Sequence, residues 1–231
     1  MSKPPADPVK RRLWISLLVL GFLLLAVGAL IATLGGDDVA YESPSYRVVE
    51  TIGEVEIREY APYLVAEAKV NGSLEDAGNQ GFRILAKYIF GANQARKKVA
   101  MTAPVTQERS SSTKIAMTSP VTQERSGEQF SVRFMMPSKY TPETLPVPKD
   151  SRIEIHEVPA KELAAIRYSG RWTRANYETH LRELVRTLER AKLEPVGEPI
   201  WARYDPPFKP WFMRRNEILT SFRRSEPSEH Y

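Results

Sequence analysis

Residues Glu56–Gly72 read EIREYAPYLVAEAKVNG, and Glu154–Gly170 read EIHEVPAKELAAIRYSG. The two stretches align without a gap at an offset of 98, with Glu56/Glu154, Ile57/Ile155, Glu59/Glu157, Ala66/Ala164 and Gly72/Gly170 identical. Each alternates in polarity, turns, alternates again and ends on a glycine, which predicts strand, turn, strand and the entry to a helix. Five identities in 17 positions is a thin match alone. The shared order of elements makes it a duplicated module.

The helices that follow carry their own signals. Ser73 with Asp76 forms a capping-box pattern, and Leu74, Ala77, Gly81, Phe82, Leu85 and Ile89 make one apolar face before Gly91. In the second copy Thr173 is the expected N-cap, Tyr177, Leu181, Leu184, Leu188 and Ala191 form the buried stripe, and Pro195 follows the end. Arg182, Arg186 and Arg190 share a second face.

A local repeat lies between the modules. Val99–Ser110 (VAMTAPVTQERS) recurs as Ile115–Ser126 (IAMTSPVTQERS), and strand-like flanks predict a hairpin with Pro104 and Pro120 at edges or bulges. Further strands are expected at Gln129–Met136, Glu198–Tyr204 and Asn216–Phe222, the last two joined by the Pro- and aromatic-rich loop Asp205–Arg215. The fold class is therefore α+β. Two strand–strand–helix–strand modules curl antiparallel sheet around a shared core, with one helix per module outside. A cleft between helix and sheet is the expected ligand position.

The chain has 231 residues, 42% hydrophobic and 26% charged, an ordinary composition for one folded domain. No Cys is present, which excludes disulfides, a thiol nucleophile and cysteine-held clusters or zinc. Lys3, Lys10, Arg11 and Arg12 against Asp7 give residues 1–34 a net +3, so only +2 of the total +5 belongs to the rest. That balance leaves no electrostatic footprint for nucleic acid.

Leu13–Leu34 (LWISLLVLGFLLLAVGALIATL) is 22 residues without a charge. A helix of that length spans about 33 Å, enough for a hydrocarbon core of about 30 Å. The cations before it orient the segment. The expected order is a cytoplasmic basic N-terminus (1–12), a single-pass inner-membrane anchor (13–34), a linker (35–45), one periplasmic or extracytoplasmic domain (46–222) and a disordered tail (223–231). A cleaved signal peptide is the weaker reading, because its apolar region is normally shorter.

Catalytic signatures are missing: the sequence has no P-loop, dinucleotide fingerprint, nucleophile elbow or HExxH helix. His156 and His180 read as ordinary polar histidines, and Glu56, Glu59, Glu154 and Glu157 as outward strand residues. Met101, Met117, Met135, Met136 and Met213 suit core gaps or pocket lining better than metal coordination. In Tyr204–Ile218 (YDPPFKPWFMRRNEI) prolines and aromatics make a stiff apolar wall with Lys209, Arg214 and Arg215 beside it. Two readings stay open: a surface for a planar anionic ligand, or a rigid loop that closes the domain.

These segments carry a family resemblance. Val55–Ala68 (VEIREYAPYLVAEA), Leu85–Gly91 (LAKYIFG), Val99–Val105 (VAMTAPV) and YDPPFKPWFMRRNEI together resemble the SOUL haem-binding protein family over about residues 42–222, and the doubled AMT[AS]PVTQ looks like its bacterial branch. The resemblance implies a distorted antiparallel β-barrel with pseudo-twofold symmetry, flanked by two α-helices. It also implies haem or another tetrapyrrole in a shallow apolar groove, with basic residues at the propionates. Matching basic positions are Lys87 and Lys209, and Phe82, Trp211 and Met101 are expected to line the groove. A relative's basic helix position falls near Asn79. A histidine that ligates iron in one vertebrate relative falls on Glu59, so no protein iron ligand is expected.

The reading that results is a membrane-anchored, non-enzymatic haem carrier or buffer, its macrocycle held by apolar contacts and Lys/Arg–propionate pairing. The alternative is an effector-binding or interaction domain without a tetrapyrrole, because the duplicated architecture also resembles bacterial effector-binding domains. An enzyme ranks last, for want of a nucleophile–base pair.

Overall fold

The computed structural model describes residues 41–96 and 112–224. The basic N-terminus, the 13–34 anchor, most of the 35–45 linker, Met101 with the rest of VAMTAPV, and the tail beyond Arg224 lie outside the described residues. No helix among the described residues is long and apolar enough to cross a membrane.

The strands are β1 (Tyr46–Ile52), β2 (Val55–Tyr60), β3 (Tyr63–Val70), β4 (Asn93–Gln94), β5 (Val121–Ser126), β6 (Gln129–Met135), β7 (Val147–Pro148), β8 (Ile153–Val158), β9 (Lys161–Tyr168), β10 (Leu193–Arg203) and β11 (Asn216–Arg224). Helix α1 (Leu74–Ile89) follows β3, and α2 (Arg174–Arg190) follows β9. Nine strands form one antiparallel sheet in the order β1-β2-β9-β11-β10-β5-β6-β3-β8, and β4 pairs with β7 separately.

That order reads the same from either end once β1 is set aside and β2, β3, β5 and β6 are exchanged for β8, β9, β10 and β11. The register obeys the same symmetry. Arg58 faces Leu163 between β2 and β9, and His156 faces Val65 between β8 and β3, each residue 98 positions from its mate. The duplication read from sequence is therefore a duplication in space, with its pseudo-twofold axis between β5 and β10.

Two features differ from expectation. The strands of each EIxEY-type unit do not form a hairpin: β2 pairs with β9 and β3 with β8, so the modules exchange their first strands. The links Ala61–Pro62 and Pro159–Ala160 explain this, because two-residue hairpin turns favour positive φ and proline fixes it near −65°. The sheet is also curled but open, since β1 and β8 are edges with no ladder between them. Tyr60, Tyr63, Val158, Lys161, Ile200, Tyr204 and Leu219 nonetheless meet around a small internal void of about 30 Å³.

The expected hairpin of the local repeat is seen only in part. Its first copy lies outside the described residues, and its second becomes strand at Val121, just after Pro120. Glu42, in the segment expected as linker, accepts from the Ser138 backbone N–H at 2.8 Å and bridges to Thr118.

Both helices cover one face of the sheet. Ser73 caps α1 by accepting from the Asp76 N–H at 3.1 Å, and Thr173 caps α2 through the Asn176 N–H at 3.4 Å. Ala77, Ile84, Leu85, Tyr88 and Ile89 of α1 pack with Val132 and Phe134, while Tyr177, Leu184 and Leu188 of α2 pack with Ile166, Trp201 and Ile218.

Helix and sheet lie in close contact at Gly81, where an added Cβ would stand 2.5 Å from the side chain of the buried Val132. Gly81→Ala is expected to lower the melting temperature, because overpacking of about 1–3 kcal/mol outweighs the helix-propensity gain of about 1 kcal/mol. Val132→Ala removes the two Cγ contacts but keeps the Cβ one, so the double variant should lose less than the sum of the two single losses, a coupling that thermal denaturation of the cycle measures.

Candidate functional site

The helix–sheet cleft expected to hold a ligand is filled by this packing. The concavity lies instead on the outer side of α1. Gln80, Phe82, Arg83, Ile84, Ala86, Lys87, Phe90 and Arg152 line a shallow groove of about 490 Å³, a size within the range of ligand pockets. Phe82, Ala86 and Phe90 stand four residues apart and so share one face of the helix. Phe82 is 37% exposed, its ring 5.4 Å from that of Phe134, and Phe90 is 58% exposed at the helix end.

Cations rim the apolar floor. Arg83 and Lys87 project from the exposed side of α1, and Arg152 comes from the turn before β8. Arg152 forms a two-pronged pair with Asp150, at 2.9 and 2.7 Å. Those bonds, followed by the Arg152 backbone N–H, hold the Asp150 carboxyl down at about 2, with Lys87 adding a smaller effect. With Asp150 ionised, the three cations leave the rim two positive charges in excess.

The pseudo-twofold partner of this groove is chemically different. On the outer face of α2 the positions matching Phe82, Ala86 and Phe90 are Arg182, Arg186 and Arg190, and with Thr179, Glu183 and Glu189 they line a hollow of about 590 Å³. One copy of the duplicated helix thus presents rings, the other guanidinium groups.

The expected site residues do not converge. Phe82 and Lys87 share the α1 groove, which Lys209 and Trp211 do not line. Met101 lies outside the described residues. Lys209 donates to Asp205 at 2.7 Å. The Trp211 ring lies beneath the Arg171 guanidinium, 5.6 Å away, and its carbonyl accepts from the Gly170 N–H. Its neighbours Phe212, Met213 and Arg214 line another hollow, of about 600 Å³, with Glu54, Glu56, Arg58 and Arg167. Asn79 is exposed on α1, and Glu59 is exposed on β2 and pairs with Arg47.

His156 and His180, read as ordinary polar histidines, do not line the groove. His156 Nε2 is 3.5 Å from Glu67, and His180 stacks on Tyr168 with ring centroids 4.4 Å apart. Among the described residues no three His, Cys, Asp or Glu side chains are grouped as for a metal ion.

Two internal clusters escaped the sequence reading. Arg203 lies over Trp201 at 4.3 Å and over Trp172 at 5.1 Å, with Arg214 4.4 Å from the Trp172 ring. Burial pushes the Arg203 guanidinium down to about 10, and its Nη2, like Gln123 Oε1, Trp201 Nε1 and Tyr168 Oη, is buried without a hydrogen-bond partner among the described residues. On the other face of the sheet, Glu217 is fully buried and accepts from Arg58 at 2.7 and 3.2 Å, Arg215 at 2.7 and 3.0 Å and Tyr204 at 2.8 Å. Alternation places Arg58 and Glu217 on this face, yet a charge at such a position gives no sign in the sequence of the partner awaiting it.

Fold and groove together define a class: a duplicated α+β domain whose first helix carries an open apolar groove with a cationic rim. The chain belongs to the SOUL heme-binding protein family, whose pattern matches residues 41–221. It is 28% identical to heme-binding protein 1 of Xenopus laevis over 164 residues, covering 71% of this chain and 80% of that one. To heme-binding protein 2 of Mus musculus it is 27% identical over 203 residues, with coverages of 84% and 92%. The EcmrR C-terminal domain superposes with a TM-score of 0.51 at 11% identity, over 78% of this chain and 99% of that domain, a likeness of fold alone.

Proposed function

We propose that this chain binds haem in the α1 groove and acts as a non-enzymatic carrier or buffer. The observation that carries the reading is the pairing of an apolar floor (Phe82, Ala86, Phe90) with a cationic rim (Arg83, Lys87, Arg152). A macrocycle with two carboxylate arms is apolar on its faces and anionic at one edge, which suits a groove of this make-up. Family membership supports the same ligand. Holding the ring by its face and its propionates leaves the iron accessible, which suits transfer better than redox turnover, where axial ligation sets the chemistry. Lys209 and Trp211 have no part in this groove. We assign the chain to a membrane through residues 13–34, with the domain outside the cytoplasm, on the apolar length of that segment and the cations before it.

The test is a haem titration of the full chain in detergent, followed at the Soret band. The Arg83→Glu/Lys87→Glu variant reverses two exposed charges, each worth about 0.5 kcal/mol as a pair and about as much again as repulsion, about 2 kcal/mol together, so affinity should fall about thirtyfold. Unchanged affinity would remove the groove from the reading.

A further inference from the structure

Phe208, Trp211, Phe212 and Met213, four large apolar side chains within six residues, are 87, 48, 60 and 50% exposed. None belongs to a core cluster of the described residues. An apolar patch of this density on a water-facing surface is a docking signal.

The loop that carries them is built to hold them out. Its neck is closed by the Tyr204 N–H donating to the Arg215 carbonyl at 3.2 Å. Asp205 accepts from Lys209 Nζ and from the Arg215 N–H, while Arg214 donates Nε to the Lys209 carbonyl at 2.8 Å and Nη2 to that of Pro207. Trp172 is pinned by its Nε1 donating to Asn216 at 2.7 Å and braces Arg214 from below. Prolines at 206, 207 and 210 restrict the backbone further. A loop tied at so many points cannot fold its rings inward, so their exposure is a property of the folded state.

We infer that the tip of the 205–215 loop docks into the interface of a bilayer containing anionic lipid. Three observations select that occupant. Aromatic tips beside cations are the make-up of an interfacial anchor: Arg171 stands over the Trp211 ring and Arg167 lines the hollow with Phe212 and Met213, while Lys209 is balanced by Asp205. Glu54 and Glu56 share the adjoining hollow, and Glu56 is spent on Arg58 at 2.7 Å. Finally, Leu13–Leu34 supplies the bilayer. Glu42 is already held on the domain by Ser138 and Ser119, so only residues 35–41 remain as tether, at most about 25 Å when fully extended, and the domain stays at high effective concentration near the surface. The inference rests on reading 13–34 as membrane-held.

The chain has no Cys, so an introduced thiol is a unique labelling site. The full chain, carrying Met213→Cys with an environment-sensitive fluorophore, is reconstituted into vesicles of phosphatidylcholine with phosphatidylglycerol. Glu128→Cys, in the exposed turn between β5 and β6, is the control. Val121 pairs with Arg203 at the loop's end of the sheet, and Glu128 lies beyond the opposite end of β5.

The expected result is a blue-shifted probe at 213, quenched by brominated lipid and weakened when phosphatidylglycerol is omitted, with an aqueous probe at 128. Adding Phe208→Ser/Phe212→Ser should return the 213 probe to water. A chain that floats with the vesicles but keeps an aqueous 213 probe overturns the docking and spares the anchor. A shifted probe that bromine does not quench also overturns it, because another protein surface covers the loop. A chain that fails to float with carbonate-washed vesicles overturns the anchor and the docking together.

Discussion

Glu217→Gln is expected to lower unfolding stability by about 3–5 kcal/mol, the range for removing one member of a buried ion pair and stranding its partner. Glu217 has no exposed surface, and Arg58, its two-pronged partner from β2, is almost as deeply buried. Arg215 and Tyr204 complete the cage. Glutamine keeps the shape and one acceptor but leaves the Arg58 guanidinium with only Glu56 and Tyr60 to offset its desolvation. Burial by itself would raise the Glu217 carboxyl; the hydrogen bonds and charge of Arg58, then those of Arg215, outweigh it and hold the group below the usual carboxylate range. A depressed carboxylate stabilises the fold above its unfolded value of about 4.5, and that contribution disappears as pH falls through the folded value. The gap between wild type and Glu217→Gln should therefore be widest near neutrality and narrow below about pH 4.5. Denaturant unfolding at several pH values measures it, and a constant gap would mean that the carboxylate charge contributes nothing.

The same residues mark the boundary of what the sequence discloses. Caps, helix stripes and the duplicated strands follow local rules of period and capping, and Ser73, Thr173, Leu184 and Leu188 stand where those rules put them. The exchange of first strands between modules is not local. It depends on which of two equally alternating strands each β3-like strand meets in space, and the offset of 98 is identical for both pairings. Strand β1 went unseen because its residues are mostly exposed and add only an edge to β2.

The motif YDPPFKPWFMRRNEI shows the harder limit. Its cations suggest an anionic ligand when read as free charges, but Lys209 is held by Asp205, Arg214 by two carbonyls, and Arg215 by Glu217. Each ties down the motif itself, so the loop is rigid, yet its rings stay exposed and do not close the domain. Phe90 shows the opposite error. It lies past the core stripe of α1, yet Phe82, Ala86 and Phe90 repeat at four-residue intervals as a second stripe, and that spacing was available before any coordinates. What the stripe could not tell was that its twin on α2 carries three arginines.

That asymmetry sets the second large effect. Phe82→Ala/Phe90→Ala should weaken haem binding about 50–100-fold in a protein that still folds. An aromatic ring presents about 200 Å², and roughly half of each is open here, so a ligand covering both would bury about 200 Å² of ring surface. At about 25 cal/mol per Å² that is about 5 kcal/mol, and an open groove touches one side only, which leaves about 2.5 kcal/mol. Losing the Phe82 contact with Phe134 should cost about 1–3 kcal/mol of stability, but the fold persists because Ile84, Leu85, Tyr88 and Ile89 keep the inner face of α1 packed. Arg182→Glu/Arg186→Glu on α2 is the matched control. If the ligand recognises the apolar copy, affinity survives reversal of the arginine copy and collapses without the two rings. Were the arginine copy the seat of binding, through carboxylates alone, the pattern would invert. The Soret titration of the two double variants thus separates a site selected by ring stacking from one selected by charge, on two helices whose strands are otherwise related by a single repeat.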